Sequence, residues 1–290
     1  MKTVEIEVRE TVKLIDFIEA NFPNCSKTKR KEILQRRVMV ASHNISKFDY
    51  MLQPGMKVTI VGDEKKKGLM GGRMTIAYED RNFVVVNKPV GLLSSSGDPN
   101  DRTVISELNA MFIKRRSKTR AHVVHRLDRD TSGLLLVAKT KEMAREMEKD
   151  WKEKVYDRLY IGVAWGAPEP PSGTVKSWLT DNEWGVVSSP VDNGGKLSIT
   201  HYQTVQKKGR FALVKMKLDT GRRNQIRVHM RELGHPLLKD PIYGYRDDNS
   251  PIDRLALHAY RLCFHHPVTG KDVELETEIP EEFMKLFKKS

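Results

Sequence analysis

The stretch HVVHRLDRDTSGLLLVAKT, His122 to Thr140, joins two kinds of sequence that seldom meet. Leu134–Ala138 is a continuous apolar run of strand length, the pattern of a buried strand. At its mouth stand Arg126, Asp128 and Arg129. A core does not accept such charges without partners, because desolvating an unpaired charge is costly. Asp128 between two arginines therefore predicts a site at the end of a buried strand.

Composition limits what that site can do. The chain has 290 residues and 39% hydrophobic content, enough for about two domains with real cores. Lys and Arg outnumber Asp and Glu by 51 to 38, a formal charge of +13 that favours a polyanionic partner such as nucleic acid, although a merely basic enzyme would show the same excess. The two cysteines, Cys25 and Cys263, lie far apart and form no CxxC, which excludes a disulfide framework and a cysteine-based zinc site and fits a reducing cytosol. The N-terminus MKTVEIEVRE is charged, and no run of about 18 apolar residues occurs, so neither export nor a membrane is expected.

The segment GDEKKKGLMGGR, Gly62 to Arg73, interrupts every periodic pattern with four glycines and a lysine triplet. It divides the chain into a small domain at 1–62, a linker at 63–73 and a larger domain at 74–290. In the first, apolar residues at helical spacing run from Val12 to Ala20, and Ser26 can cap a second helix carrying Lys27, Lys29, Arg30, Lys31, Arg36 and Arg37. Short extended pieces follow at Val38–Ala41 and Met56–Val61 around the turn Gln53-Pro-Gly55. The basic helix suits a phosphate-gripping surface or a solvated face equally. The order of elements between Val12 and Val61 resembles the small RNA-binding module of the fourth protein of the small ribosomal subunit.

In the larger part, Phe83–Val86 reads as a buried strand ending in the turn Asn87-Lys-Pro-Val-Gly91. Arg115, Arg116 and Arg120 crowd the approach to Asp128, so that a carboxylate is reached through positive charge. Asp128 itself admits several readings. Asp128-Arg-Asp130-Thr-Ser132-Gly133 imitates a calcium loop, but its twelfth position is Lys139 where a glutamate is required. An aspartyl-phosphate motif should directly follow an apolar strand, and flanking arginines would compete with its magnesium. A single nucleophilic or proton-handling carboxylate, held ionised because a nearby guanidinium lowers its pKa, accounts for the arginines. An ordinary salt bridge would account for them too, but not for two further stretches. In Tyr156–Trp165 the ring of Tyr160 shares its face with Gly162 and Ala164, leaving a flat space where a planar base could stack. In Leu218–Gly234 the positions Ile226, Met230 and Leu233 point inward, while Arg223, Arg227 and Arg231 form a column that calls for an anion. His258, His265 and His266 lack the spacing and carboxylates of a metal site.

Together, His125-Arg-Leu-Asp128-x-x-Thr131-Ser-Gly133, Asn87-Lys-Pro-x-Gly91, Arg158-x-Tyr160, Thr220-Gly-Arg-x-x-Gln225-Ile-Arg-Val-His229 and Gly234-His-Pro resemble the large-subunit-type (RluA/RluD-type) RNA pseudouridine synthases from about Ile76 onward. The resemblance implies a uridine isomerase without metal or organic cofactor. It assigns Asp128 as the catalytic carboxylate, Tyr160 as the ring on the target base, Arg227 as the ion-pair partner of Asp128, Ile226 as apolar wall, and Arg126 as the side chain filling the gap left by the flipped nucleotide. Arg129, Thr131, Arg222, Gln225 and His229 complete the expected substrate site. An α+β catalytic domain on a mixed, largely antiparallel sheet is expected, acting as a cytoplasmic monomer on ribosomal RNA, with transfer RNA as the other possibility. A non-catalytic RNA-binding or assembly factor on the same fold is the alternative. Three positions depart from the family pattern: Arg223-Asn224 stands where Thr-His is usual, Arg158 where lysine is common, and Lys239 where a glycine is familiar.

Overall fold

The computed structural model describes residues 4–23, 25, 30, 33–34, 38–40, 43–44, 49–60, 73–182, 185–245 and 248–288. Lys27, Lys29, Lys31, Arg36 and Arg37, and the linker before Arg73, lie outside the described residues. The N-terminal part contains β1 (Val4–Glu7), β2 (Val12–Lys13), α1 (Leu14–Asn21), β3 (Val38–Val40), β4 (His43–Asn44), β5 (Met51–Leu52) and β6 (Lys57–Ile60). Four of its strands form an antiparallel sheet in the order β1-β6-β3-β4, and β2 pairs with β5. The β2–β5 pairing takes Val12 and Lys13, so the helix begins at Leu14, two residues later than its apolar spacing predicts. Leu14, Phe17 and Ile18, at helical i, i+3, i+4 spacing, and Val58 and Ile60, alternating along β6, meet in a core of their own with Ile33 and Leu34.

From Thr75 onward the elements are β7 (Thr75–Glu79), β8 (Phe83–Lys88), α2 (Val104–Lys114), β9 (His122–Val123), β10 (Ser132–Ala138), α3 (Lys141–Lys149), α4 (Trp151–Lys154), β11 (Asp157–Trp165), β12 (Ser172–Asn182), β13 (Gly185–Ser189), β14 (Lys196–Lys208), β15 (Phe211–Leu218), α5 (Gln225–Glu232), β16 (Leu257–His265), β17 (Asp272–Glu276) and α6 (Glu281–Lys285). Eleven strands build one sheet, with the path β13-β12-β14-β15-β11-β16-β10-β8-β7; β17 adds to β16 and β9 to β10. Its pairings among the described strands are antiparallel except β10 with β16, where Ser132 and Gly133 run parallel to His258 and Ala259. The mixed, largely antiparallel sheet is therefore as the sequence predicts.

Every residue of β10 is buried, because both faces of the sheet are covered there. Leu135 and Val137 enter one core with Leu108 and Phe112 of α2, while Leu134, Leu136 and Ala138 enter another with Met147 of α3 and Phe264. At Gly133 a side chain would collide with the Ala259 carbonyl, 2.2 Å from where its Cβ would stand, and φ is +110°. Only glycine lets β16 approach there. Leu257 and Leu262–Phe264 belong to one strand, β16, which Leu255 and Ala256 adjoin. The end helix α6 packs onto the sheet, with Phe283 and Phe287 buried alongside Ile161 and Val163.

Candidate active site

A cleft of about 640 Å³ opens between the loop preceding β10, the start of β11 and the N-terminal end of α5. Asp128, Arg126, Thr131, Tyr160, Arg222, Gln225, Ile226 and Arg227 all line it. Tyr160 is 7% exposed and sits where the register of β11 against β16 shifts between Leu159 and Tyr160. The extra residue there is Tyr260 of β16, so β11 keeps its alternation and the Tyr160 ring faces the cleft. Burial raises the pKa of its phenol, so the group is a neutral ring.

Arg227 is 4% exposed and held from several directions. Its Nε donates to Asp240 Oδ2 at 2.8 Å and its Nη2 to Asp240 Oδ1 at 2.7 Å, a bidentate pair. Nη1 donates to Asn224 Oδ1 at 2.8 Å, and the guanidinium carbon lies 5.2 Å from the Tyr243 ring centroid. Asn224 adopts φ +54° just before the helix, a left-handed turn that carries its amide back over Arg227. The nearer oxygen of Asp128 is 3.9 Å from Nη1. Burial opposes the charge of Arg227, but the Asp240 pair outweighs it and holds the group protonated. The expected Asp128 pairing is thus the looser of two, and Asp240 supplies the closer anchor.

Asp128 keeps about a third of its side chain (31%) open to the cleft, with protein around the rest. Desolvation pushes its carboxyl above the usual value; Arg227 and Arg223 oppose the shift without cancelling it, and Asp240 and Asp130 add to it. This corrects the expectation of a lowered pKa. Arg227 does lower it, but by less than desolvation raises it.

Other expected residues fall elsewhere. His229 is fully buried between Ser177 Oγ (3.1 Å) and Thr200 Oγ1 (2.8 Å), outside the cleft lining, and burial lowers its pKa to about 4. Gln225 lines the cleft but is internally satisfied: its Oε1 accepts from the Thr220 hydroxyl and the Arg222 N–H, and its Nε2 donates to Ile199 O and Thr200 Oγ1. It braces the turn that carries Arg222. Arg129 is exposed, does not line the cleft, and donates from Nε to Gly91 O at 3.3 Å. The arginine column does not form: Arg223 precedes the helix and pairs with Asp181 at 3.0 Å, Arg227 is buried, and Arg231 lies 5.6 Å from the Tyr245 ring. Arg115 pairs with Glu79 and Arg30 with Glu19, while Arg116 and Arg120 are exposed beside α2, as are Lys114 and Lys118.

Residues that sequence reasoning missed complete the site. Asp240 lies in the Gly234-His-Pro segment and is invisible to spacing arguments, because its partner is thirteen residues away across a loop. Trp151 lines the cleft mouth with its ring 4.9 Å from that of His125, and the Arg158 guanidinium lies 5.4 Å from the Trp151 ring.

The Asp128 carboxylate beside a locked guanidinium, an aromatic floor and an apolar wall at Ile226 can hold a planar base out of water and act on one bond. These are the features of an RNA isomerase that rearranges a base in place. The sequence profile of the RNA pseudouridylate synthases matches residues 82–232. The chain is 32% identical over 294 residues to the RNA pseudouridine synthase YlyB of Bacillus subtilis, covering 97% of this chain and 94% of that one. It is also 32% identical over 282 residues to the ribosomal large subunit pseudouridine synthase D of Escherichia coli K12, with 91% and 86% covered. Its fold matches the structure of human RNA pseudouridylate synthase domain containing 1 with a TM-score of 0.59 at 26% identity, over 71% of this chain and 83% of that one. The chain belongs to the RNA pseudouridine synthase family of the large-subunit RluA/RluD type, and is an isomerase acting on RNA. The phosphotransferase reading does not survive that membership.

Proposed function

We propose that Asp128 is the catalytic carboxylate, Tyr160 the ring that carries the flipped uracil, and Arg227 the group that orients Asp128, with large-subunit ribosomal RNA as substrate. The observation that carries the assignment is the convergence of Asp128, Tyr160 and Arg227 on one cleft. In the isomerisation the bond from ribose C1′ to N1 breaks, the uracil turns, and C5 bonds to C1′; the proton from C5 is lost and N1 gains one. The base must stay in the pocket while it is detached, which a buried ring and an apolar wall favour. One carboxylate suffices to capture the sugar or the ring, or to remove a sugar proton. Exposed Arg126, at the rim beside Asp128, suits the space vacated by the flipped nucleotide.

The ribosomal assignment rests on the names of relatives such as the Escherichia coli enzyme. The division at 62–73 into an RNA-binding module and a catalytic domain rests on separate cores on either side. We read the protein as a cytoplasmic monomer; Cys25 and Cys263 are free thiols, and no described helix is long and apolar enough to cross a membrane. The experiment is pseudouridine mapping in ribosomal and transfer RNA from cells lacking the gene, complemented with the wild type or with Asp128→Asn. The expected result is a ribosomal site restored by the wild type alone. Restoration by Asp128→Asn would overturn the assignment.

A further inference from the structure

Asp128 stands on residues 126–131, a loop that belongs to no helix or strand. Its placement therefore depends on what the loop is tied to. The ties come from residues 88–94. Leu127, on one side of Asp128, is gripped by Ser94, whose hydroxyl donates to Leu127 O at 2.7 Å and accepts from Leu127 N–H at 3.0 Å. Arg129, on the other side, is gripped at its carbonyl by the Gly91 N–H at 2.8 Å and by Lys88 Nζ at 3.0 Å. Lys88 is wholly buried, and its ammonium donates also to Leu92 O at 2.8 Å and Pro89 O at 3.1 Å. Three carbonyls from two loops thus converge on three hydrogens.

We propose that Lys88 is a positioning residue for Asp128: its buried ammonium locks the loop of Asp128 onto the 88–94 turn and so fixes where the carboxylate stands beside Arg227. The inference rests on the pseudouridine synthase reading only for its kinetic test. Losing one proton would leave two hydrogens for three carbonyls and turn a lone pair toward an oxygen, which loosens the clamp. Burial depresses the Lys88 pKa to about 7; Asp130 and Asp128 on the clamped loop oppose the shift, while Arg254 and Arg129 reinforce it. The clamp therefore weakens as pH rises through about 7. Global stability moves the other way. A lysine whose folded pKa is depressed leaves the unfolded chain binding more protons between pH 7 and the ordinary lysine value, so stability from this group rises with pH. A rate that falls in that window is a local effect.

The test uses the full chain with in vitro transcribed ribosomal RNA pre-bound, measuring single-turnover pseudouridine formation from pH 6 to 8.5. The wild-type rate should fall above about pH 7. Lys88→Met should be slower by roughly ten- to a hundredfold, the cost of a misplaced catalytic group. It should also be flat in pH across that range and bind RNA within about twofold of the wild type, since no phosphate contact is lost. A flat wild-type profile, or wild-type speed in Lys88→Met, overturns the proposal. A second measurement needs neither turnover nor the variant. In NMR titration of the RNA-free protein, the Lys88 side chain should titrate near pH 7 with the backbone amides of Leu127–Asp130 shifting in step. Amides that stay still while Lys88 titrates would overturn the clamp, whatever the enzyme's substrate proves to be.

Discussion

Arg227 is held far more closely by Asp240, at 2.7 and 2.8 Å, than by Asp128, at 3.9 Å. Asp240 has no exposed side-chain surface, and its Oδ1 also accepts the N–H groups of Ile242 and Tyr243 at 2.9 Å. The guanidinium is thus fixed by a carboxylate with no exposed side-chain surface, and its remaining edge is offered to Asp128, which lines the cleft.

Removing the charge of Asp240 should therefore harm the fold as well as the reaction. Asp240→Asn leaves a buried guanidinium without its bidentate partner, and breaking a buried pair from one side costs about 3–5 kcal/mol. Urea unfolding should show that loss, and single-turnover rates should fall. Stability within 1 kcal/mol of wild type, on the order of a surface pair, would show that Asn224 and Tyr243 hold Arg227 unaided.

Asp128 should behave oppositely. Its folded pKa is raised, mainly by desolvation, so the folded protein binds this proton more tightly than the unfolded chain. Stability from this group is present at low pH and is lost as pH rises through the folded value. Asp128→Asn removes that burden and leaves the Asp240 pair in place. At neutral pH it should unfold at a temperature no lower than the wild type while forming no pseudouridine. For the same reason wild-type activity should show an acid limb above the ordinary aspartate range, and a pH-flat rate down to pH 4, close to that ordinary value, would contradict the shift.

What the sequence made legible follows from range. The buried strand at Leu134–Ala138, the inward stripe Ile226–Met230–Leu233 and the alternation around Tyr160 are local patterns, and the fold uses each as written. The arginine column failed because helical spacing was extended one turn too far: Asn224 at φ +54° ends the periodicity before Arg223. His229 matched a motif but points into the core, because a motif records which residues occur together and not which of them face the cleft. Asp240 and Lys88 act through contacts that only the folded chain creates.

Lys239, noted from sequence as a departure from glycine, has φ +53°, a region in which glycine is at ease and other residues are strained. Asp248 compensates: it accepts the Lys239 N–H on Oδ2, and its carbonyl accepts from Lys239 Nζ at 2.7 Å. Lys239→Gly should relieve strain while losing the Nζ contact, giving a melting temperature within a few degrees of wild type. Lys239→Val cannot adopt the turn cheaply and should cost about 1–3 kcal/mol. Because Asp240 is the next residue, its loss of stability should be accompanied by slower turnover. A Lys239→Val protein as stable as wild type would mean the turn does not require that conformation.

Acid should attack the core through two histidines. His229 lies between Ser177 and Thr200, and His258 between Ser132 Oγ at 2.7 Å and Thr277 Oγ1 at 2.8 Å. Burial lowers both to about 4, with Arg254 adding to the effect at His258. Below the unfolded value near 6.5 the unfolded chain takes up protons that the folded protein refuses, so stability falls as pH drops from about 6.5 toward 4. Each ring adds a slope of about 1.4 kcal/mol per pH unit while that difference is complete. Thr200 Oγ1 accepts from Gln225 Nε2 and shares a hydrogen bond with His229 Nδ1, while His229 Nε2 shares one with Ser177 Oγ. His229→Gln keeps an amide of similar reach for Ser177 and cannot titrate. Urea unfolding at pH 7, 6 and 5 should then show a shallower acid dependence for His229→Gln than for wild type, even though the variant starts from lower stability at pH 7. An identical slope in the two proteins would mean that His229 takes up its proton as easily folded as unfolded, and that its buried hydrogen bonds do not hold it neutral.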